Sequence, residues 1–246
     1  MARWRASGVT WCAVWLLAAA GGLAADEARA TCPEALAQAL RLVVVTTASM
    51  DDKTASITVY GRSSLNALWR QSGRPMVAVV GARGLGWGWD QTRHGTPGEP
   101  VKREGDKRTP AGFYAMGRPF GSRNPGVPGY LPLRKGQTFC VDDARSPHYG
   151  RIVPRRLAGR GISGEEMATI GLYRQGIAVE YPANASVRGG SCIFIHVWRG
   201  PTSGTAGCIA TDEADVVMLQ KFVAGKPAAI AVLPDRALEA FAKCLP

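Results

Sequence analysis

The sequence is poor in histidine and in acidic side chains. Its 246 residues include three histidines, and 19 acidic residues are outnumbered by 30 lysines and arginines, which gives a formal net charge of +11. Few histidines leave few positions from which an imidazole could move protons or bind a metal. The basic residues are scattered and form no stripe interleaved with aromatic residues, so they indicate no nucleic-acid partner. A surface with this net positive charge is expected of a protein that acts close to an anionic polymer or membrane.

Long apolar runs are also missing, except at the start of the chain. Arg3 and Arg5 precede the apolar segment Val9–Leu23, and small residues follow it. This pattern predicts a signal peptide over residues 1–25, with cleavage as late as residue 30 as a second choice. The run is shorter than the roughly 20 residues of a membrane-spanning helix. We therefore expect an exported, soluble protein without stable membrane insertion, and an uncleaved N-terminal anchor is the alternative.

Cysteine is sparse, and its count is informative. Cys12 lies in the predicted signal peptide, which leaves Cys32, Cys140, Cys192, Cys208 and Cys244. An odd number in an oxidising compartment leaves one thiol unpaired within the chain. If Cys208 is that thiol, Cys32 and Cys244 are expected to pair because chain ends often lie close together, and Cys140 then pairs with Cys192. Four cysteines allow three pairings, so the other two stay open.

The pattern of the remaining chain predicts a mainly β (α+β) fold with a few peripheral helices. The predicted strands are Leu42–Thr47, Ser56–Arg62, Met76–Val80, Gly112–Met116, Phe139–Val141, Ile177–Tyr181, Ser191–Trp198 and Ala228–Leu233. The predicted helical segments are Pro33–Arg41, Glu165–Ile170, a helix capped by Asp212 that ends at Gly225, and Asp235–Cys244. The Gly-, Pro- and charge-rich stretch Thr92–Arg134 is expected to be mostly loop. We expect one domain over residues 31–246, a mixed or antiparallel β-sandwich.

One pairing of residues indicates acyl-transfer chemistry. Cys208 ends the turn Thr205-Ala206-Gly207-Cys208, twelve residues after His196 in an apolar strand. An imidazole can raise the thiolate fraction, and a small residue before the cysteine lets a substrate carbonyl approach backbone N–H groups. A buried cysteine and a core histidine are the simpler alternatives. A zinc site of Cys192, His196 and Cys208 is a further one, but its spacing lacks the usual close ligand pairs, so we expect no metal.

These segments carry a specific resemblance. Phe194–Gly200 and Thr205–Ile209 resemble the catalytic motif of the YkuD (ErfK/YbiS) family of L,D-transpeptidases, and Gly84–Gly88, Gly105–Gly112 and Cys140–Asp143 resemble segments of its proteobacterial branch. The resemblance covers about Leu42 to Leu233. It implies that Cys208 is the nucleophile and His196 its general base. It also implies an oxyanion hole made by the backbone N–H groups of Gly207 and Cys208, with Ala206 as a further candidate.

The resemblance also implies a substrate and a location. The family acts without a cofactor on peptidoglycan stem peptides, which implies a periplasmic enzyme, and we expect a monomer. Thr205 is expected to order the loop or contact substrate, and Trp198 and Arg199 are candidate substrate contacts. The family's histidine two residues before the cysteine is Ala206 here. A hydrolase of the same type of bond (an L,D-carboxypeptidase or amidase) and a non-catalytic wall-binding module remain alternatives. The insert Thr92–Arg134 is expected to form part of the cleft wall.

Overall fold

The computed structural model describes residue 1 and residues 32–246. The predicted signal peptide therefore lies, apart from its first residue, outside the described residues. Cys32–Pro246 forms one compact unit. Within the described ranges, no helix is both long enough and apolar enough to cross a membrane.

Strands dominate the described part of the chain. They are β1 (Arg41–Thr47), β2 (Thr54–Gly61), β3 (Arg70–Gln71), β4 (Met76–Val79), β5 (Leu85–Trp87), β6 (Thr109–Gly121), β7 (Leu131–Pro132), β8 (Phe139–Val141), β9 (Ile152–Val153), β10 (Gly164–Glu166), β11 (Gln175–Val179), β12 (Phe194–Val197), β13 (Ile209–Thr211) and β14 (Ala228–Pro234). The helices are α1 (Glu34–Ala37), α2 (Arg155–Ala158) and α3 (Glu213–Val223). The expected mainly β domain with few helices is confirmed.

Most of the strands belong to one sheet that closes on itself. Its order is β1-β14-β6-β11-β12-β13-β4-β2-β3, and an additional antiparallel pairing joins β1, the first strand of the path, to β2, which precedes the short last strand β3. The sheet is therefore barrel-like, and its opposite walls provide the two layers expected of a sandwich. The strands β8, β9 and β10 form a separate small sheet. Closure removes most unpaired strand edges and encloses the main apolar core.

The strand β6 is longer than the strand Gly112–Met116 that was expected within Thr92–Arg134, and the rest of that stretch is mostly loop as expected. The strand runs for 13 residues and pairs with β14, β11, β5 and β7. Its glycines and prolines allow it to bend between these partners, and Gly112 has φ +140°, a conformation that disfavours side chains with a Cβ. A glycine- and proline-rich composition thus describes a curved strand here as well as loops.

The helix predicted after Asp212 is present, whereas two other predicted helical segments form a strand or 3-10 turns. The helix α3 begins after Asp212, whose carboxylate accepts a hydrogen bond from the Ala214 N–H at 2.9 Å, and it buries Val216, Leu219 and Val223. Glu165–Ile170 instead starts in strand β10 and continues as the 3-10 turn Met167–Thr169. The predicted helix Asp235–Cys244 consists of the two 3-10 turns Asp235–Ala237 and Glu239–Phe241. These segments are too short for a 3.6-residue period to identify them.

Candidate active site

The pairing of β12 with β13 places the predicted histidine and cysteine on one side of the sheet. The two strands are parallel, with Ile195 opposite Ile209 and His196 opposite Ala210. Ile195 and Ile209 face the main core. Because side chains alternate along a strand, His196 faces the other side together with Ala210 and with Cys208, two residues earlier. Cys208 accordingly packs in a second apolar cluster, and it lines the same cleft as His196.

The loop before Cys208 has a backbone that favours glycine at one position. Gly207 has φ +153°, and a Cβ there would lie 3.1 Å from the Arg108 carbonyl oxygen. The Thr205 hydroxyl accepts a hydrogen bond from the Gly207 N–H at 3.0 Å and donates to the Cys208 carbonyl at 2.6 Å. The buried Thr109 hydroxyl donates to the same carbonyl at 2.9 Å. The cysteine backbone is thus held from two sides.

A backbone carbonyl orients His196. Its Nδ1 lies 2.8 Å from the Val197 carbonyl oxygen. A carbonyl can only accept, so Nδ1 carries the proton and Nε2 keeps a free lone pair. Burial lowers the pKa of His196 to about 4, and Arg199 lowers it further, against the opposing effect of the Val197 carbonyl. The imidazole is therefore neutral at pH 7 and can accept a proton.

The Cys208 thiol is also neutral at rest. Burial is the main cause that raises the pKa of Cys208 to about 12, and the charge of Glu165 adds to it. Hydrogen bonding to the Phe194 backbone, the charge of Lys102 and a hydrogen bond with the Tyr173 hydroxyl act in the opposite direction. The thiol and imidazole are thus an uncharged pair, and a thiolate has to be formed during the reaction.

A buried lysine supplies positive charge beside the cysteine loop. The Lys102 Nζ donates to an Asp106 carboxylate oxygen at 2.6 Å and to the Arg103 carbonyl at 2.8 Å. It lies 3.4 Å from the position that a Cβ on Gly207 would occupy. Lys102 is only 2% exposed, so its charge acts on the thiol through little water.

The disulfides leave this cysteine unpaired. Cys32 is bonded to Cys244 and Cys140 to Cys192, and Cys208 is the free cysteine among the described residues. The Cys208 Sγ lies 3.4 Å from the Cys192 carbonyl oxygen. Since Cys192 is in a disulfide, its sulfur is not available as a thiolate ligand for the zinc alternative.

Comparison with known proteins places this geometry in a family. A family model described as the L,D-transpeptidase catalytic domain matches residues 55–230, a span that includes both β12 and the cysteine loop. The chain belongs to the YkuD family. It therefore contains an L,D-transpeptidase-type catalytic domain, as the resemblance of the motif implied. No curated protein matches the chain.

Two solved structures are similar to this YkuD chain. The helical cell shape determining protein Pgp2 from Campylobacter jejuni has 19% identity and a TM-score of 0.39, with 79% of this chain and 48% of that chain covered. Bd1075 from Bdellovibrio bacteriovorus has 14% identity and a TM-score of 0.39, with 79% and 48% covered. The chain thus spans about half the length of these proteins.

The remaining predicted site residues of this YkuD domain lie around one cleft of about 610 Å³. Trp198, Arg199, Thr205 and Ala206 all line it. The hydroxyl of Thr205 is already occupied within the loop, which favours its ordering role over substrate contact. From the insert Thr92–Arg134, the residues that line this cleft are Lys102, Glu104, Gly105 and Lys107.

Sequence reasoning missed Glu165 and Tyr173, as it missed Lys102, among the residues that line the cleft of the YkuD domain. Glu165 and Tyr173 both line the cleft, and the Tyr173 hydroxyl donates to a Glu165 carboxylate oxygen at 2.8 Å. The Tyr173 ring packs edge-on against the His196 ring, with centroids 5.2 Å apart. Neither residue lies in a recognisable motif, because they come from β10 and from the 3-10 turn Gly171–Arg174.

Proposed function

We propose that this protein is a peptidoglycan L,D-transpeptidase of the periplasm. The observation that carries the proposal is the free Cys208 thiol in the same cleft as His196, with the His196 Nδ1 engaged by the Val197 carbonyl. This arrangement leaves Nε2 as a neutral proton acceptor, which an activated nucleophile requires. Export of the chain through its predicted signal peptide belongs to the same proposal, since the substrate lies outside the cytoplasm.

The reaction begins with transfer of the Cys208 proton to a base, with His196 Nε2 as the first candidate. The thiolate attacks the carbonyl carbon of the third residue of a stem tetrapeptide. The tetrahedral intermediate collapses as the C–N bond breaks, and the terminal D-amino acid leaves with a proton from the imidazolium. An amine of a second stem then attacks the thioester, loses its proton to His196 and releases the free thiol. The thioester conserves the energy of the broken bond, so no nucleotide is consumed.

Backbone N–H groups of the cysteine loop are proposed to stabilise the oxyanion. The Gly207 N–H already donates to the Thr205 hydroxyl, so we assign this role to the N–H groups of Cys208 and Ala206. The absence of a side chain on Gly207 keeps the approach to them open. Lys102 adds positive charge nearby, which stabilises both the thiolate and the oxyanion.

The test is intact mass of the mature protein after incubation with a purified disaccharide tetrapeptide, followed by analysis of the products. We expect a covalent adduct at Cys208 and a cross-linked dimer, both absent with Cys208→Ala. His196→Gln should retain the fold and lose most of the rate, about 100-fold or more if it is the main base. A tripeptide monomer without dimer would replace the transpeptidase by an L,D-carboxypeptidase. Unchanged protein and substrate would refute both.

A further inference from the structure

A basic groove lies outside the catalytic cleft, where β1, β2, β3 and α3 meet. Its volume is about 790 Å³, and it shares no lining residue with the cleft that contains Cys208. No acidic residue in the described part of the chain lines this groove, and its charged side chains are Arg41, Arg62, Arg70 and Lys221. This face of the molecule is therefore complementary to an anionic partner.

Two of the four charges have no partner within the described part of the protein. Arg70 and Lys221 are exposed, and their side chains make no hydrogen bond or ion pair there. Arg41 instead lies over the Phe222 ring at 5.5 Å, and Arg62 donates to the carbonyls of α1 and its flanking residues. Arg70 and Lys221 are thus free to bind an external anion, while the other two add to the positive potential.

The loop between β2 and β3 holds two leucine side chains in solvent beside these charges. Leu68 is 85% exposed and Leu65 is 47% exposed. The loop is braced, since the Arg62 guanidinium donates to the Leu65 carbonyl at 2.9 Å and lies 4.2 Å from the centre of the Trp69 ring. The Trp69 indole N–H in turn donates to the Cys244 carbonyl at 3.2 Å. Apolar side chains on a fixed loop next to unpaired cations are typical of proteins that adsorb to lipid.

We propose that this groove docks the protein on the surface of an anionic phospholipid membrane. Lipid phosphates bind Arg70 and Lys221, and Leu68 enters the boundary between headgroups and acyl chains. An anionic polymer matches the charge of the groove but offers no apolar layer to Leu68, which favours the membrane. Docking here covers none of the residues that line the catalytic cleft. The inference is independent of the proposed transpeptidase reaction, because adsorption requires no turnover.

The test is cosedimentation of the mature protein with sucrose-loaded vesicles at about 0.1 M salt, where charges still act over about 10 Å. We expect binding to vesicles of phosphatidylglycerol and phosphatidylcholine, and much weaker binding to phosphatidylcholine alone. Arg70→Gln combined with Lys221→Gln should weaken binding about 25-fold, about fivefold for each basic residue near an anionic surface. Leu68→Ser should weaken it about fivefold, because less apolar surface is then buried in the lipid.

Matched controls remove the same kinds of side chain elsewhere on the surface. Arg156→Gln combined with Arg160→Gln removes two exposed charges, and Leu157→Ser removes a leucine that is 46% exposed. None of these residues lines the groove, so these variants should bind much as wild type does. Equal losses in the groove and control variants would show attraction by net charge alone and would overturn the proposal. Equal binding of wild type to anionic and neutral vesicles would also overturn it.

Two further measurements separate this proposal from its rivals. If the groove variants lose binding to purified peptidoglycan sacculi but keep vesicle binding, the partner is the polymer and the membrane proposal is wrong. If the double variant folds poorly, Leu68→Ser and the salt dependence decide, since wild-type binding that persists at about 0.5 M salt would contradict docking through these charges. The Cys208 adduct should form in every groove variant. Its absence from wild type would reject the proposed function and leave the vesicle result standing.

Discussion

The hydroxyl of Thr205 offers a sharp test of how the nucleophile loop is held. Thr205→Val replaces the hydroxyl by a methyl group of similar size. Two hydrogen bonds are lost, the one from the Gly207 N–H at 3.0 Å and the one to the Cys208 carbonyl at 2.6 Å. The carbonyl keeps the Thr109 hydroxyl as a donor, but the buried Gly207 loses the acceptor of its N–H. The cost is therefore dominated by one unsatisfied buried donor.

The magnitude follows from these contacts. An unsatisfied buried N–H costs about 1–3 kcal/mol, and the second hydrogen bond adds a fraction of about 1 kcal/mol because its acceptor stays bonded. We expect the free energy of unfolding to fall by about 2 kcal/mol. For a domain of about 150–250 residues this lowers the Tm by about 4–8 °C. Alkylation of Cys208 should also change, because the loop that sets the position of its sulfur is loosened.

The assay is thermal unfolding of Thr205→Val beside Thr205→Ser, which keeps the hydroxyl and removes only a methyl group. Serine should stay within about 2 °C of wild type if hydrogen bonding is the cause. Thr109→Val should cost at least as much as Thr205→Val, since Thr109 is fully buried and accepts from the Gly81 N–H at 2.8 Å. Equal losses for serine and valine, or no loss for valine, would refute this account of the loop.

Three further predictions concern charge and covalent bonds. Lys102→Met should raise the pKa of Cys208 further and slow its alkylation, whereas Lys107→Met, at an exposed position of the same cleft, should change it little. Burial raises the pKa of Glu165 in the folded protein to about 7. The stability that goes with its protonated form is therefore fully present below the pKa of the unfolded chain and is lost as the pH rises through about 7. Glu165→Gln should therefore have about the wild-type Tm at pH 5 and a higher Tm at pH 8, where its free energy of unfolding should exceed that of wild type by up to about 3 kcal/mol. Replacing Cys32 and Cys244 by alanine should lower the Tm without changing the pH profile of Cys208 alkylation, because neither lines the cleft.

The histidine strand and the cysteine turn of the site were predictable because each consists of residues that are consecutive in the sequence. A histidine in an apolar strand and a cysteine after a glycine turn are visible without coordinates, and the odd number of cysteines indicated that one thiol stays unpaired. The helix after Asp212 could also be predicted, because its capping side chain and its apolar residues at helical spacing lie within a few residues of each other. Each of these signals depends on neighbours in the chain, which is what a single sequence records.

The sequence predicted only the segment Gly112–Met116 of β6, and there is a physical reason why the full strand was missed. Its composition of glycine and proline disfavours a flat central strand. The strand is nevertheless formed because β14, β11, β5 and β7 pair with different parts of it, and its glycines permit the bends that these pairings require. Such tertiary pairing overrides local preference, and its partners are distant in the sequence.

The same distinction separates the nucleophile from the groups that set its proton affinity. His196 lies on β12 and Cys208 directly precedes the neighbouring β13, and one short motif of the sequence contains both. Lys102, Glu165 and Tyr173 come from the loop before β6, from β10 and from the 3-10 turn Gly171–Arg174, and all three line the cleft that holds Cys208. The motif therefore predicts a reaction of the thiol, and we expect these distant groups to set the pH at which it runs, since they shift the pKa of Cys208. Substitutions there should shift the pH profile while leaving the motif intact.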